Sequence, residues 1–427
     1  MKRLRCTWIA STFAIAISIP LPGAELEWNG WKPFSPRSEI RPDFAIRDKG
    51  GPDGRGGMVV THDSRKGLDG AWLKTFPVEG GAHYRASVSA RTRKVSSPRA
   101  NRYVELLFHD EAGQLVNDER VGVKSRPYYL PEISKNTRKW TRLEGIFQSP
   151  VDATHATIRL HLRWEPGGEV EWGGIQFVKS TAAPSRKVRL AAINFRPKGG
   201  KTGLENCRQF APLIAEAAER KADLVVLGEC ITTVSNPLDH VSGAEPVPGP
   251  STKYLGTLAD KHDLYIVTTL YERYGNNIYN SAVMLGPDGS LVGKYRKLCL
   301  ARGEYRKGIA PGEGFPVFDT RFGRVGMMIC FDVHMPEVAR GLAANGAEII
   351  AMPIMGGHPA LARARAIENQ VYLVTSTYGI NDDWMQTGVW DLAGKLRSRA
   401  TKPGEVVISE VDLARQYLWR ANMGDFK

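Results

Sequence analysis

The chain has 427 residues, of which 42% are hydrophobic and 24% charged, and its formal net charge is +13. This length predicts two or three domains. The composition excludes a disordered chain, a collagen-like repeat and a polytopic membrane protein. No nucleic-acid motif accompanies the positive charge, so we expect no nucleic-acid partner.

The first 24 residues have the pattern of a secretory signal peptide. Three basic side chains lie within residues 1–5, and the almost uncharged apolar run 8–21 follows them. Pro22-Gly23-Ala24 then precedes the first acid, Glu25. The apolar run is too short for a comfortable membrane span. We therefore predict export to the periplasm or the cell exterior, with tethering to the membrane as the alternative if the signal is not cleaved.

The cysteines and histidines favour neither a disulfide framework nor a metal site. Cys6 lies in the signal segment, and only four cysteines remain in a long exported chain. None of them has a CxxC or Cys/His spacing, and the nine histidines form no HxH or HxxxH pair. We expect no metal. The four cysteines of the mature chain are Cys207, Cys230, Cys299 and Cys330.

Residues 25–180 are predicted to form an antiparallel, jelly-roll-like β-sandwich. Apolar and polar residues alternate at a period of two, which places one face of each strand on a core. Glycine-containing turn signals separate these runs. The clearest alternating runs are 84–90, 103–108, 141–147 and 156–164.

Residues 181–186 are small, polar and interrupted by a proline, as is typical of a linker. In residues 187–427 strands alternate with helices, and the strands are almost continuously apolar. Such strands indicate a sheet that is covered by helices. The predicted strands are 188–193, 223–227, 264–270, 281–285, 325–329, 347–352 and 371–376.

Three polar residues lie where apolar strands of this second part end. Cys330 ends one strand, and a helix is predicted to begin close behind it at Pro336. Glu229 and Lys297 end two others. A thiol needs a base or a nearby cation to become a reactive thiolate, and a glutamate and a lysine supply both. The alternatives are a small buried core cysteine and two solvated charges at strand ends.

The order of motifs in residues 187–427 resembles the nitrilase (carbon–nitrogen hydrolase) superfamily. Glu229 is followed by Tyr295-Arg296-Lys297, by Cys330-Phe331-Asp332 and by Arg363–Asn369. The resemblance implies an αββα four-layer sandwich, a Glu–Lys–Cys triad, no cofactor, and pairing with a second copy as a homodimer or higher homo-oligomer. It also implies that Glu304, in a loop seven residues after Lys297, is a second active-site glutamate. The alternative for Glu304 is an exposed loop charge.

The same resemblance implies a role for each residue. Cys330 attacks the carbonyl or nitrile carbon, and Glu229 moves the proton between thiol, leaving amine and water. Lys297 and the backbone N–H of Phe331 stabilise the oxyanion. Glu304 helps to position the substrate and the lysine.

Several positions depart from the superfamily pattern and are expected to shape the substrate pocket. Cys299 stands where histidine is common, and Cys230 directly follows Glu229, where we expect it to serve packing. The residues that we expect to contact substrate are Phe331, Asp332, His334, Met355 and His358.

The resulting prediction is an exported hydrolase that acts on a small linear amide or an N-carbamoyl group. Hydrolysis of a nitrile by the same triad is one alternative. A catalytically inactive protein whose first domain binds glycan is another.

The first domain resembles galactose-binding-like carbohydrate modules in its pattern of short alternating strands. Its tryptophans can either stack on sugars or fill the core. A basic loop is predicted to be a solvated face, with contact to an anionic glycan as the alternative. The tryptophans are Trp72, Trp140, Trp164 and Trp172, and the basic residues are Arg91, Arg93, Lys94, Arg99 and Arg102.

Overall fold

The computed structural model describes residues 26–96, 101–118, 123–124, 127–135 and 140–414. The chain divides into two compact units, and the boundary falls between Ala183 and Pro184, within the segment expected to be a linker. The predicted signal segment lies outside the described residues. Among the helices that are described, none has both the length and the apolar character needed to cross a membrane.

The first unit consists of strands. In chain order they are β1 (Lys32–Phe34), β2 (Asp43–Arg47), β3 (Gly57–Thr61), β4 (Asp69–Pro77), β5 (His83–Arg93), β6 (Arg102–His109), β7 (Asn117–Asp118), β8 (Val123–Lys124), β9 (Tyr128–Tyr129), β10 (Glu132–Lys135), β11 (Thr141–Gln148), β12 (His155–Arg163) and β13 (Glu169–Ser180). A short 3-10 helix, Ser38–Ile40, precedes β2.

These strands form two larger sheets with antiparallel pairing. One has the order β1-β4-β12-β6-β9 and the other the order β10-β11-β5-β13-β3-β2, while β7 pairs with β8. The alternating runs of the sequence all fall on strands β5, β6, β11 and β12, and the middle residues of β5 and β6 are buried on both faces. The assignment to a galactose-binding-like class stays a prediction.

Most of the tryptophans that could stack on sugar are buried in this unit. Trp72 and Trp172 are fully buried and Trp140 nearly so, whereas Trp164 is exposed. The indole N–H of Trp72 donates to the carbonyl of Val59 on the other sheet at 3.1 Å. Three of the four therefore fill the interior, which is the second of the two roles expected for them.

The predicted basic loop is not a loop. Arg91 and Arg93 lie on β5, where they pair with Glu171 and Glu169 of the neighbouring β13. Arg102 lies on β6, is buried and pairs with Glu132. Lys94 follows β5, and Arg99 lies outside the described residues. Arg91 and Arg93 are exposed, as expected for a solvated basic face, whereas the prediction is wrong for the buried Arg102.

The second unit alternates strands and helices. Its first half comprises β14 (Lys187–Asn194), α1 (Gly203–Arg208), α2 (Ala211–Glu219), β15 (Leu224–Val226), α3 (Pro250–His262), β16 (Tyr265–Tyr274), β17 (Asn277–Leu285), β18 (Leu291–Arg296) and α4 (Arg302–Arg306). Its second half comprises β19 (Val317–Asp319), β20 (Arg324–Met327), a 3-10 helix (Cys330–His334), α5 (Pro336–Ala344), β21 (Ile349–Pro353), α6 (Pro359–Asn369), β22 (Tyr372–Ser376), β23 (Gly388–Trp390), β24 (Leu396–Arg399) and β25 (Glu405–Asp412).

Two mixed six-stranded sheets pack face to face in this unit. Their orders are β18-β17-β16-β15-β14-β25 and β19-β20-β21-β22-β23-β24. Alternate residues of β14 explain the layers: Leu190 and Ala192 pack against the second sheet, whereas Ala191 and Ile193 pack against α2 and α3. Helices α5 and α6 cover the outer face of the second sheet. The expected αββα arrangement is thus the observed one.

The parallel strands set the position of the site. Strands β14, β15 and β16 run parallel in one sheet, and β20, β21 and β22 run parallel in the other. The residues that follow β15, β20 and β21 therefore emerge at carboxyl ends of parallel strands, where α/β proteins place their ligands.

Candidate active site

The site is built from segments that directly follow strands. Glu229 comes three residues after β15, and Cys330 three residues after β20. Lys297 is the first residue after β18, and its backbone N–H donates to the Asn280 carbonyl of β17 at 2.9 Å. Two sheets thus bring together residues that are up to 101 positions apart in the chain.

The ammonium of Lys297 lies between two carboxylates. Its Nζ is 3.1 Å from Glu229 Oε1 and 2.8 Å from Glu304 Oε2, and the lysine is only 1% exposed. Asn280 Nδ2 lies 2.8 Å from Glu229 Oε1 and 2.8 Å from Glu304 Oε1. One amide and one ammonium therefore fix both glutamates. Glu304 itself lies on the short helix α4 rather than in the loop expected from the sequence.

The rest of Glu229 is also held by hydrogen bonds. Its Oε2 accepts from the backbone N–H of Met355 at 2.8 Å. Its backbone carbonyl accepts from the hydroxyl of Tyr378 at 2.5 Å. These donors fix the orientation of the Glu229 side chain, so its carboxylate faces Lys297 and the backbone of Met355.

Cys330 sits at a sharp turn between a strand and a 3-10 helix. Its φ of 44° lies in the left-handed region, which is strained for a residue with a side chain and is found most often at functional sites. The Cys330 Sγ is 3.9 Å from the carbonyl oxygen of Gly356. The turn thus presents the sulfur toward the segment that also holds Glu229.

The charges of the site act on each other strongly. Burial raises the pKa of the Cys330 thiol, and the Glu229 charge raises it further, while Lys297 opposes both. Burial by itself lowers the pKa of Lys297, but the charges of Glu229 and Glu304 outweigh it and raise the pKa. The two shifts favour a charged lysine and a protonated thiol, so a thiolate forms only when a base takes the proton.

The expected pocket residues have different positions. Met355 is exposed beside Glu229. The half-buried ring of Phe331 stacks on the exposed His334 ring at 4.7 Å. His358 is exposed, and its Nδ1 accepts from Ala360 N–H at the start of α6, where it caps the helix.

Asp332 is held inside the protein, and the expectation that it contacts substrate stays a prediction. It is fully buried, and its carboxylate accepts from the N–H groups of Ile329 and Cys299 and from the Tyr295 hydroxyl. Burial raises its pKa to about 6. A carboxylate with three protein donors serves the turn that carries Cys330.

Sequence reasoning missed Asn280 and Tyr378. A signal for Asn280 does exist, since it is a polar residue in β17, a mostly apolar strand whose neighbour β18 ends one residue before Lys297. Tyr378 follows β22 and carries no such signal.

The other described cysteines are not among the catalytic residues expected from the sequence. All four described cysteines are free. Cys207 and Cys230 are buried, and Cys299 is half-buried. Burial raises the pKa of Cys299 to about 11. In the part of the chain that the structure describes, no group of three or more His, Cys, Asp or Glu side chains could hold a metal ion.

Comparison with known proteins gives the same assignment for the second unit. The carbon–nitrogen hydrolase family model matches residues 189–421. The chain is 30% identical to omega-amidase NIT2 of Mus musculus over 248 residues, which is 53% of this chain and 89% of that protein. It is 42% identical to a nitrilase of Pyrococcus abyssi over 199 residues, which is 44% of this chain and 74% of that protein.

A solved structure is similar over the same part of the chain. Nit3 of Saccharomyces cerevisiae, a member of branch 10 of the nitrilase superfamily, is 26% identical with a TM-score of 0.48. The match covers 54% of this chain and 93% of that one. Because the family model spans more than half of the chain, the protein belongs to the carbon–nitrogen hydrolases of the nitrilase superfamily and is an enzyme that hydrolyses carbon–nitrogen bonds.

Proposed function

We propose that the enzyme hydrolyses a linear amide through a thioester on Cys330, with Glu229 as general base and Lys297 as the stabiliser of the oxyanion. One observation carries the proposal: the buried Lys297 ammonium lies within 3.1 Å of Glu229 and 2.8 Å of Glu304, beside the turn that presents Cys330. A thiol, a base and a buried cation are the groups that acyl transfer to sulfur requires.

In the first half of the reaction Glu229 accepts the thiol proton while Sγ bonds to the amide carbon. The Lys297 ammonium and the Phe331 N–H stabilise the tetrahedral oxyanion. Glu229 then returns the proton to the nitrogen, the carbon–nitrogen bond breaks, and ammonia leaves behind a thioester. The raised pKa of the thiol is the reason that this transfer must be coupled to attack.

In the second half water replaces the amine. Glu229 accepts a proton from water as the oxygen adds to the thioester carbon. The second oxyanion lies beside the same ammonium and N–H. The carbon–sulfur bond then breaks, the proton returns to sulfur and the acid is released.

Glu304 completes the site without exchanging a proton. Its Oε2 contacts the lysine, and it also accepts from the Ala301 N–H at 2.9 Å. A second carboxylate keeps the ammonium charged and fixed, which preserves its field for the transition state.

The same residues can also process N-carbamoyl compounds and nitriles, which are the two alternatives to a linear amide. The test is ammonia release from a matched panel, including an amide and its own nitrile. We expect turnover of the amide, and complete loss of turnover in Cys330→Ala. The matched control is Cys299→Ala, since Cys299 is the other described cysteine that is not fully buried.

Thiol labelling gives a second, independent measurement. A haloacetamide should modify Cys330 in the wild-type chain and in Cys299→Ala, and substrate amide should protect it. A Cys330→Ala variant that is folded and still releases ammonia would exclude the thioester route. Turnover of the nitrile but not of the amide would show that the substrate is a nitrile and not a linear amide.

We also propose export, and pairing of two copies. The pattern of residues 1–24 supports export, and the superfamily resemblance supports pairing. Cell fractionation and light scattering of the purified full chain test the two separately.

A further inference from the structure

The segment that carries Glu229 bulges out of its sheet. The Leu227 N–H donates to the Val267 carbonyl of β16 at 2.8 Å. The next such bond runs from the Ile231 N–H to the Thr269 carbonyl at 3.2 Å. Between these two bonds the chain advances four residues, while β16 advances only two. A bulge next to an active site re-aims a side chain. Glu229 lies in the middle of this one, so the strand does not set its direction.

The residue after Glu229 has a strained backbone. Cys230 has a φ of 52°, which lies in the left-handed region, and its side chain is buried. A residue other than glycine keeps such a conformation only where the surrounding structure holds it. Groups outside the bulge must therefore fix the peptide bond that joins Glu229 to Cys230.

Two hydroxyl groups hold this peptide bond. Its N–H, that of Cys230, donates to Oγ1 of Thr269, a fully buried residue of β16, at 2.6 Å. Its carbonyl, that of Glu229, accepts from the Tyr378 hydroxyl at 2.5 Å. A peptide group is planar, so fixing both of its polar atoms fixes its plane. That plane sets the direction in which the Glu229 side chain leaves the backbone.

The tyrosine is itself held in place. The carbonyls of Thr377 and Gly379, on either side of Tyr378, each accept from Nδ2 of the buried Asn194 at 2.9 Å. Gly228 leaves room for the ring, because an added Cβ there would lie 2.6 Å from Tyr378 Cζ. The Tyr378 hydroxyl therefore approaches the bulge from a fixed segment.

We propose that Thr269 and Tyr378 are positioning residues for the hydrolysis: by holding the Glu229–Cys230 peptide bond, they aim the Glu229 carboxylate at the reacting atoms. This role rests on the proposed function, because it takes Glu229 to be the general base. Neither hydroxyl needs to touch the substrate. A catalytic group that is displaced by about 1 Å loses rate by about 100-fold, so one hydroxyl behind the backbone can control turnover.

The first test is the kinetics of Tyr378→Phe, which removes one hydroxyl and keeps the ring. We expect kcat for the amide to fall by about 10- to 100-fold and KM to stay within a few-fold, because the base moves while the contacts to substrate remain. Tyr372→Phe is the matched control and should keep the wild-type kcat. Its hydroxyl also donates to a backbone carbonyl, that of Asp412, but from the first residue of β22, whereas Tyr378 follows the end of that strand. Melting temperatures verify that both variants are folded.

The threonine is tested by a pair of substitutions. Thr269→Val removes the hydroxyl at a similar side-chain volume, and Thr269→Ser keeps it. We expect Thr269→Val to lower kcat as Tyr378→Phe does, and Thr269→Ser to retain most of the wild-type value.

Labelling of Cys330 with a haloacetamide measures the displacement without turnover, since the Glu229 charge acts on this thiol. Tyr378→Phe should shift the labelling rate in the same direction as Glu229→Gln, and by no more. Added to Glu229→Gln, it should shift the rate no further, because its effect passes through the carboxylate that is already gone.

A folded Tyr378→Phe enzyme with the wild-type kcat, or an equal loss in Tyr372→Phe, overturns the positioning role. So does a further change of labelling when Tyr378→Phe is added to Glu229→Gln. Full turnover by Glu229→Gln would contradict the proposed function itself. An inactive Glu229→Gln beside a fully active Tyr378→Phe would leave the proposed function standing and refute only the positioning role.

Discussion

One amide nitrogen, Asn280 Nδ2, donates to both active-site glutamates. Two carboxylates this close repel each other in a buried site, and the ammonium and the amide hydrogens offset that repulsion. Asn280 thus acts through Glu229 and Glu304 as a positioning residue.

Replacing Asn280 by leucine should lower kcat by about 10- to 100-fold, since misplacing a catalytic group by about 1 Å has effects of that order. KM should change little, because the substrate does not touch the amide in the proposed mechanism. Asn277→Leu, three residues earlier on the same strand and exposed, is the matched control. Kinetics and melting temperature, measured on both variants, separate positioning from stability. An Asn280→Leu enzyme with normal kcat contradicts this role.

The thiol of Cys330 should respond to its two charged neighbours in opposite directions. Glu229 raises its pKa and Lys297 lowers it. Glu229→Gln should therefore abolish hydrolysis yet move the pH midpoint of haloacetamide labelling downward, because more thiolate is present at a given pH. Lys297→Met should move the midpoint upward.

Labelling rates of the wild-type chain and both variants, compared at each pH between about pH 6 and pH 10, give the direction of both shifts, and mass spectrometry assigns the label to Cys330. Glu229 has two opposed effects on labelling: as a base it activates the thiol, and its charge lowers the fraction of thiolate. Slower labelling of Glu229→Gln at every pH would mean that the first effect is the larger one, which contradicts this prediction.

At the scale of an element, the segment between β21 and α6 contacts both Glu229 and Cys330. Its Met355 N–H holds Glu229, and its Gly356 leaves no room for a side chain, since an added Cβ would lie 1.9 Å from Trp384 Nε1. At Gly357 the nearest atom would be 3.6 Å away, which is ordinary contact.

Gly356→Ala should therefore displace either the segment or the indole, and lower kcat/KM by about 10-fold or more. Gly357→Ala should stay near the wild-type value. Steady-state kinetics on the amide, with circular dichroism to verify folding, measures the pair. Equal kcat/KM for the two variants would mean that the Trp384 side chain can move aside without disturbing the site.

The positions of Glu229, Lys297 and Cys330 could be predicted because each of these residues follows an apolar strand. The continuous apolar composition identifies such strands. The order of the motifs then indicates that these three residues belong to one site. The three last strands, β23 to β25, were not predicted, since they are short or form an edge whose pairing depends on distant residues.

Side-chain orientation was the part that sequence could not supply. Asp332 and His358 stand in motif positions near the nucleophile, yet one serves the Cys330 turn and the other caps α6. The role of Asp332 depends on the Tyr295 hydroxyl, 37 positions away in the chain, whereas the His358 cap is a local contact with the Ala360 N–H. Asn280 acts from a strand that the motifs do not include.

At the scale of the whole molecule, the proposed catalytic residues all belong to the second unit. A chain beginning at Thr181 keeps Arg186, which bonds to Glu348 and Asp412 and fixes the start of β14. We expect it to fold and to hydrolyse a small amide with kcat within a few-fold of the full chain.

Ammonia release and gel filtration of the two proteins measure this. A folded truncated chain without turnover would mean that residues before 181 contribute to the pocket. The glycan expectation is tested with residues 26–180. Of the four tryptophans considered for stacking, Trp164 is the exposed one, and the Arg163 guanidinium carbon lies 4.2 Å from the centre of its ring.

The protonated state of the resting nucleophile has a consequence for the lifetime of the enzyme. Peroxide oxidises thiolates far faster than thiols, so a cysteine with a raised pKa is protected between turnovers. The proposed export would expose the protein to oxidants without the reducing systems of the cytosol. Burial and the charge of Glu229 therefore delay catalytic activation until substrate arrives and, by the same physics, preserve the sulfur for the next cycle.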